Sequence, residues 1–359
     1  MTDNKDDETT LGADGIQTGD YVYNPIKAFK NKKPLPTPDP MEGVLNIAKR
    51  DIYGFLDETV SGQETAKQGL ASIGHLFNMK CKLLEIGTPQ DDMPRLNIFM
   101  SGPTGYGKTY MLTELAKVLN VPIVRIDCSS ITQEGWAGAS ISEMIVASDL
   151  RYHLHSHRAG IIILDELDKL AGGAVASNGA LPHTGTQHNL LDLLDSRFKT
   201  NPKEGGSESL DRLINNSLIV CAGSFEALRK KESEKKNTIG FTKHEDKVEH
   251  SELDMEEWKL KMVEAGLIPE LVGRVVHVIE LQRLTEEQIL EVFHKHNNVY
   301  DKYRYIAPKF RLENKELAEI AKECYNSKHG LRQLDSSIFK RLLKHLDESE
   351  NVKPKESEK

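Results

Sequence analysis

Five short apolar runs, Leu96–Met100, Ile123–Ile126, Gly160–Leu164, Leu218–Ala222 and Val275–Leu281, alternate along this chain with stretches whose apolar residues recur at helical spacing. Each run is bounded by turn-forming residues, which marks it as a strand. A run that is apolar throughout, rather than every second residue, is covered on both faces. Strands alternating with helices predict an α/β fold: a parallel five-stranded sheet between helices. After Leu281 the strands stop. Glu286–Arg304, Glu313–Tyr325 and Leu331–Leu346 read as three helices of a small α-helical lid domain. The expected division is a tail over 1–40, a large α/β domain over 41–281, the lid over 282–347 and a charged tail over 348–359. At 359 residues, with 38% hydrophobic, there is material for about two domains.

The tail begins acidic, continues through Lys27, Lys30, Lys32 and Lys33, and ends in a proline-spaced segment, a composition that predicts an extended, disordered arm. A solvated tail is the plainer reading, and a docking arm is the alternative. Helical spacing returns over Val44–Leu56 and Glu64–Leu84. Arg229–Glu257 is dense in charge and is expected to be a long exposed loop, with one apolar island at Ile239-Gly240-Phe241.

A net charge of −8 supplies no broad cationic field, so a nucleic-acid partner is not expected. No apolar run reaches the length of a membrane span, and the N-terminus has no signal-peptide pattern. Cys81, Cys128, Cys221 and Cys324 are too scattered for a zinc ribbon or a disulfide framework, as expected of a cytoplasmic chain. Of His153, His155 and His157, only the first and third would share a helix face, and no third ligand stands beside them. A solvated helix face is the plainer reading.

Gly102-Pro103-Thr104-Gly105-Tyr106-Gly107-Lys108-Thr109 lies between the first strand and a helix. In that context glycines permit a tight turn whose backbone N–H groups point at phosphate oxygens, and the helix N-terminus adds its positive end. Lys108 would neutralise the β and γ phosphates, and Thr109 would ligate Mg²⁺. Downstream, the strand Ile161–Leu164 ends in Asp165-Glu166. Asp165 would orient Mg²⁺ through its water, and Glu166 would polarise the water that attacks the γ-phosphate. An acidic helix cap writes the same text on its own. Paired with the phosphate loop, it predicts a Mg-dependent ATPase.

These two motifs, the Leu167–Leu170 continuation and the tract Gly266-Leu267-Ile268-Pro269-Glu270-Leu271-Val272-Gly273-Arg274 resemble the AAA+ ATPases of the ClpX type, within the Clp/Hsp100 unfoldases. The likeness runs from about Pro34 to Leu346. It implies further roles. Val60-Ser61-Gly62-Gln63 resembles the segment lying against adenine. Gly135-Trp136-Ala137-Gly138 resembles the first pore loop, with tryptophan where the family has tyrosine; the alternative is a ring packed under its own loop. Arg274 falls where the family places an arginine finger acting on a neighbour's nucleotide. Arg332 matches the lid's nucleotide sensor, the alternative being an ion pair with Asp335. Ser224, after the fourth strand, is a weaker match to the first sensor. Ile239-Gly240-Phe241 is the tripeptide with which such unfoldases dock a ClpP-type peptidase; the alternative is a patch that tacks the loop down. The family's N-terminal zinc module is not recognisable, and its second pore loop would fall in 172–188, expected to be mobile.

The resemblance thus implies an ATP-dependent ring, a homo-hexamer, that threads polypeptide substrates through a central pore, with a ClpP-type peptidase as a partner that could receive them. A non-proteolytic assembly chaperone and a DNA-associated switch are the alternatives.

Overall fold

The computed structural model describes residues 47–131, 140–152, 154, 157–172, 184–225, 255–295 and 297–351. The expected tail, Trp136, Ala137, His153, His155 and Ile239-Gly240-Phe241 lie outside the described residues.

All five strands form. They are β1 (Asn97–Ser101), β2 (Ile123–Asp127), β3 (Ile161–Asp165), β4 (Leu218–Gly223) and β5 (His277–Glu280). They build one parallel sheet in the order β2-β3-β4-β1-β5. β1, β3 and β4 are buried at every residue, as their unbroken apolar text requires of central strands. β2 alternates between buried and accessible residues, so one face of this edge strand is open. The chain leaves β1 for the far edge, returns through β3 and β4, and crosses to β5 on the other side of β1. In open parallel sheets, the carboxyl ends of strands at such a reversal carry the binding crevice.

Helices α1 (Lys49–Thr59), α2 (Glu64–Glu85), α3 (Lys108–Leu119), α4 (Ile141–Tyr152), α5 (Thr184–Asn189), α6 (Leu191–Leu194), α7 (Glu208–Asn216), α8 (Met255–Glu264) and α9 (Pro269–Val272) accompany the sheet. Ile126, Ile162, Leu164, Leu193, Leu213, Cys221 and Leu271 share one core with Trp258 and Met262 of α8. Phe99 and Phe225 meet edge to face there, with centroids 6.0 Å apart.

Four helices follow β5: α10 (Glu286–Lys295), α11 (Asn297–Ile306), α12 (Asn314–Asn326) and α13 (Gln333–Asn351). They close around Ile289, Phe293, Tyr303, Phe310, Ile320, Leu334 and Ile338.

Two element expectations are corrected. The loop expected to end at Glu257 gives way to α8 at Met255, because Trp258 and Met262, one turn apart, are drawn into the core. The last helix continues to Asn351, beyond the start of the expected charged tail. Among the described residues, no helix is long and apolar enough to cross a membrane, no cluster of His, Cys, Asp and Glu could hold a metal, and the four cysteines are free thiols.

Candidate functional site

The carboxyl ends of β1, β3 and β4 bring the sequence motifs to one edge of the sheet. The loop Gly102–Gly107 leaves β1 and opens α3 at Lys108. Gly107 adopts φ +95°, and a Cβ there would meet no atom within 4 Å. Space therefore stands at the point where the helix N-terminus begins, as a phosphate group requires. Pro103 is buried and Thr104 half-buried along the loop. Lys108 Nζ donates to the carbonyl oxygens of Gly102 (2.7 Å) and Pro103 (3.1 Å), so the ammonium is held across the loop's opening strand of backbone.

Thr109 Oγ1 lies 3.5 Å from Asp165 Oδ2. One small cation, or a water bound to it, can meet both oxygens at that separation. Asp165 is buried at the end of β3, and its Oδ1 accepts from the Glu166 backbone N–H at 2.9 Å. Its Oδ2 also accepts from Arg125 Nε of β2 at 2.7 Å. The register explains this contact. Arg125 pairs with Ile163, and Asp165 stands two residues along on the same face. The sequence reading missed Arg125; its only signal was a charged residue on the open side of an alternating strand.

Glu166 holds a left-handed backbone, φ +56°. For a residue with a Cβ that conformation costs about 1–2 kcal/mol. The strain turns the chain sharply at the strand end and leaves the Glu166 carboxylate half-exposed, with no hydrogen-bond partner among the described residues. A free carboxylate beside an oxygen-rich corner is a chemically competent base. From β4, Ser224 Oγ donates to Asp168 Oδ2 at 2.8 Å. Asp168 was not singled out in the sequence; it fixes the hydroxyl at the strand end.

The expected adenine segment sits where α1 meets α2 and the lid. Val60 is buried. Gly62, at φ +60°, abuts Gln288 of α10. Gln63 makes two hydrogen bonds to the backbone of Gln282: its Nε2 donates to the carbonyl at 2.8 Å, and its Oε1 accepts from the N–H at 3.0 Å. Its amide is thus spent on the connection between β5 and the lid. Between Val60 and Gly62, the Ser61 hydroxyl is buried without a partner among the described residues. An orphaned buried hydroxyl costs free energy, and a purine edge has the donors and acceptors to satisfy it. The donor set and this orphan fit a Mg-nucleotide: Thr109 and Asp165 toward the metal, Lys108 and the loop toward phosphates.

Arg332 closes the lid side. It ends a short turn, Gly330–Arg332, and its Cγ lies 3.5 Å from where a Cβ on Gly105 would stand. The alternative pairing is not the one formed, because Asp335 takes Lys302 and the Tyr303 hydroxyl instead.

Arg274 lies apart from this corner. Asn97, the first residue of β1, donates to the Arg274 carbonyl at 3.1 Å, whereas the phosphate loop follows the last residue of that strand. The guanidinium clasps Asp195 in a two-pronged pair, Nε to Oδ1 at 2.8 Å and Nη2 to Oδ2 at 2.9 Å. Arg95 and Arg197 reach the same carboxylate at 3.2 and 2.7 Å. The Arg274 hydrogen bonds hold the Asp195 carboxyl below the usual carboxylate range. Asp195 is a third residue the sequence did not reveal.

A family profile for the AAA domain (Cdc48 subfamily) matches residues 93–278, the sheet and its motifs. The chain is 25% identical to the "ATP-dependent Clp protease ATP-binding subunit ClpX 2" of Wolinella succinogenes, covering 84% of this chain and 79% of that protein. It is 29% identical to the ClpX subunit of Porphyromonas gingivalis over 80% of this chain and 72% of that one. With the ClpX subunit of Treponema denticola the identity is 26% over 93% of this chain and 84% of the relative.

Proposed function

The chain belongs to the AAA domain family as a ClpX-type AAA+ ATPase, and from this we propose that it is a Mg-dependent ATPase working as a hexameric ring that unfolds or remodels polypeptides. The observation that carries the reading is the corner at the end of β3, where Thr109, Asp165 and the strained Glu166 stand beside the phosphate loop.

In this reading the loop amides and Lys108 bind the phosphates of ATP, with the Lys108 ammonium exchanging its two carbonyl partners for phosphate oxygens. Thr109, and Asp165 through a water, would hold Mg²⁺, which would supply charge neutralisation for the phosphates. Glu166 accepts a proton from the attacking water. Ser224, fixed by Asp168, offers a hydroxyl to that water, and Arg332 reports from the lid. Val60, Gly62 and the Ser61 hydroxyl face the base, while Gln63 holds the connection to the lid. Arg274 serves a neighbouring subunit, because its own phosphate loop lies at the other end of the sheet. Trp136 and Ala137 grip the substrate chain in the pore, and Ile239-Gly240-Phe241 docks a ClpP-type peptidase.

The test is a trap. Glu166→Gln should bind ATP yet turn it over at least about 100-fold more slowly, since an amide is no base, and should retain polypeptides that identify the substrates. Lys108→Ala should lose ATP binding. Parent-like hydrolysis by both variants would overturn the site.

A further inference from the structure

Tyr106 belongs to the phosphate loop by sequence and to the lid by packing. It is only 3% exposed and is buried with Leu284, Ile289, Cys324 and Leu334. Its neighbours Gly105 and Gly107 both take positive φ, +83° and +95°. Those two positions let the backbone place one side chain in the lid while the loop runs on into α3.

The lid is shaped to receive the ring. Gly330, at φ +52°, packs against it so closely that a Cβ would lie 2.6–3.0 Å from three ring carbons. Backbone meets backbone beside this seat. The Leu331 N–H donates to the Gly105 carbonyl at 3.0 Å. A Cβ on Gly105 would stand 2.1 Å from the His329 carbonyl oxygen. The loop and the turn His329–Arg332 are therefore fitted to each other at two points, one polar and one apolar.

The fit carries a built-in cost. The Tyr106 hydroxyl is buried with no hydrogen-bond partner among the described residues, and burial raises its pKa, disfavouring the phenolate. Phenylalanine would fill the same seat without that cost. The ring is held, but less firmly than the cavity allows.

We propose that Tyr106 is a positioning residue that straps the lid to the phosphate loop, so that nucleotide enters and leaves only when the ring is drawn out of the lid core. This rests on the reading of Gly102–Thr109 as the phosphate site. The orphaned hydroxyl makes the strap releasable, and lid movement must then pull directly on the loop that holds Lys108.

Two readouts test it on the full chain: association and dissociation of N-methylanthraniloyl-ATP by stopped flow, and hydrogen exchange of the Leu331 N–H without nucleotide. Tyr106→Ser should speed dissociation and Leu331 exchange about 10-fold or more, by loss of the buried ring. Gly330→Ala, which must displace the ring, should act in the same direction. Tyr106→Phe should slow both by about 5-fold, because it removes only the orphaned hydroxyl. Parent-like rates in Tyr106→Ser overturn the strap. Should that variant not fold, parent-like rates in both Gly330→Ala and Tyr106→Phe overturn it equally. If Lys108→Ala binds the fluorescent nucleotide normally, the phosphate-site reading fails, and Leu331 exchange alone decides for or against the strap.

Discussion

Arg125 brings a permanent positive charge to the carboxylate proposed to face Mg²⁺. Its Nε sits 2.7 Å from Asp165 Oδ2, the oxygen nearest Thr109. A guanidinium and a metal ion compete for one oxygen, so binding the metal means loosening the ion pair. Because the Arg125 side chain is half-exposed, the pair is worth no more than about 1 kcal/mol. Arg125→Gln should therefore tighten Mn²⁺ binding in the presence of ATP by about 2- to 5-fold, read by paramagnetic resonance. Unchanged Mn²⁺ affinity would mean that Arg125 swings aside at no cost. The sequence could not show this contact. It showed that position 125 is polar in an alternating strand, but the partner depends on the register between β2 and β3, which no local pattern encodes. Asp165, Glu166 and the phosphate loop were legible because their chemistry is contiguous in the chain. Arg125, Asp168 and Asp195 were not, because each acts through a residue far away in sequence.

Asp195 follows the short helix α6 and Arg274 follows α9, and their pair ties those two segments to the start of β1. The Asp195 carboxyl ionises below its ordinary 3.8, chiefly through its hydrogen bonds to Arg274. A lowered folded value means that the unfolded chain takes up the proton first as pH falls. The stabilisation is thus fully present above about pH 4 and fades as pH drops through the folded value. All three partners are arginines, which stay charged throughout. Asp195→Asn should cost about 1.5–3 kcal/mol at pH 7. The gap between variant and parent should narrow as pH falls through the folded value, as followed by urea midpoints from neutral pH into the acid range. A gap independent of pH would assign the loss to packing rather than charge. The elements themselves were more readable than these ties. The central strands announced themselves by unbroken apolar text, whereas β5 is shorter than its apolar run because the Val275 N–H bonds back to the Val272 carbonyl instead of to the sheet. The start of α8 was hidden by its charge, and only Trp258 and Met262 reveal its buried face.

For the molecule as a whole, the two functional corners lie at opposite ends of β1, the phosphate loop after Ser101 and Arg274 beside Asn97. A five-residue strand separates them by roughly 13 Å. Arg274 therefore stands away from the phosphate loop of its own chain, and in the proposed ring its part in catalysis would depend on a second copy. The clasp on Asp195 does not forbid this. If Arg274 turns to a neighbour's phosphate, Arg95 and Arg197 remain on the buried carboxylate, so the move does not strand a charge. Arg274→Ala should bind ATP with near-parent affinity and hydrolyse it at least about 100-fold more slowly, as for other lost arginine fingers. Mixing it with Glu166→Gln subunits should restore turnover, although neither variant alone is active. The restored interfaces are those where the Arg274→Ala subunit contributes its intact Glu166 and the Glu166→Gln subunit contributes its intact Arg274. Dilution should lower turnover per subunit along the same curve as the loss of assembly, measured by light scattering. Full turnover from dilute, monomeric chains would instead place Arg274 in a purely structural role, as the clamp between α9 and Asp195.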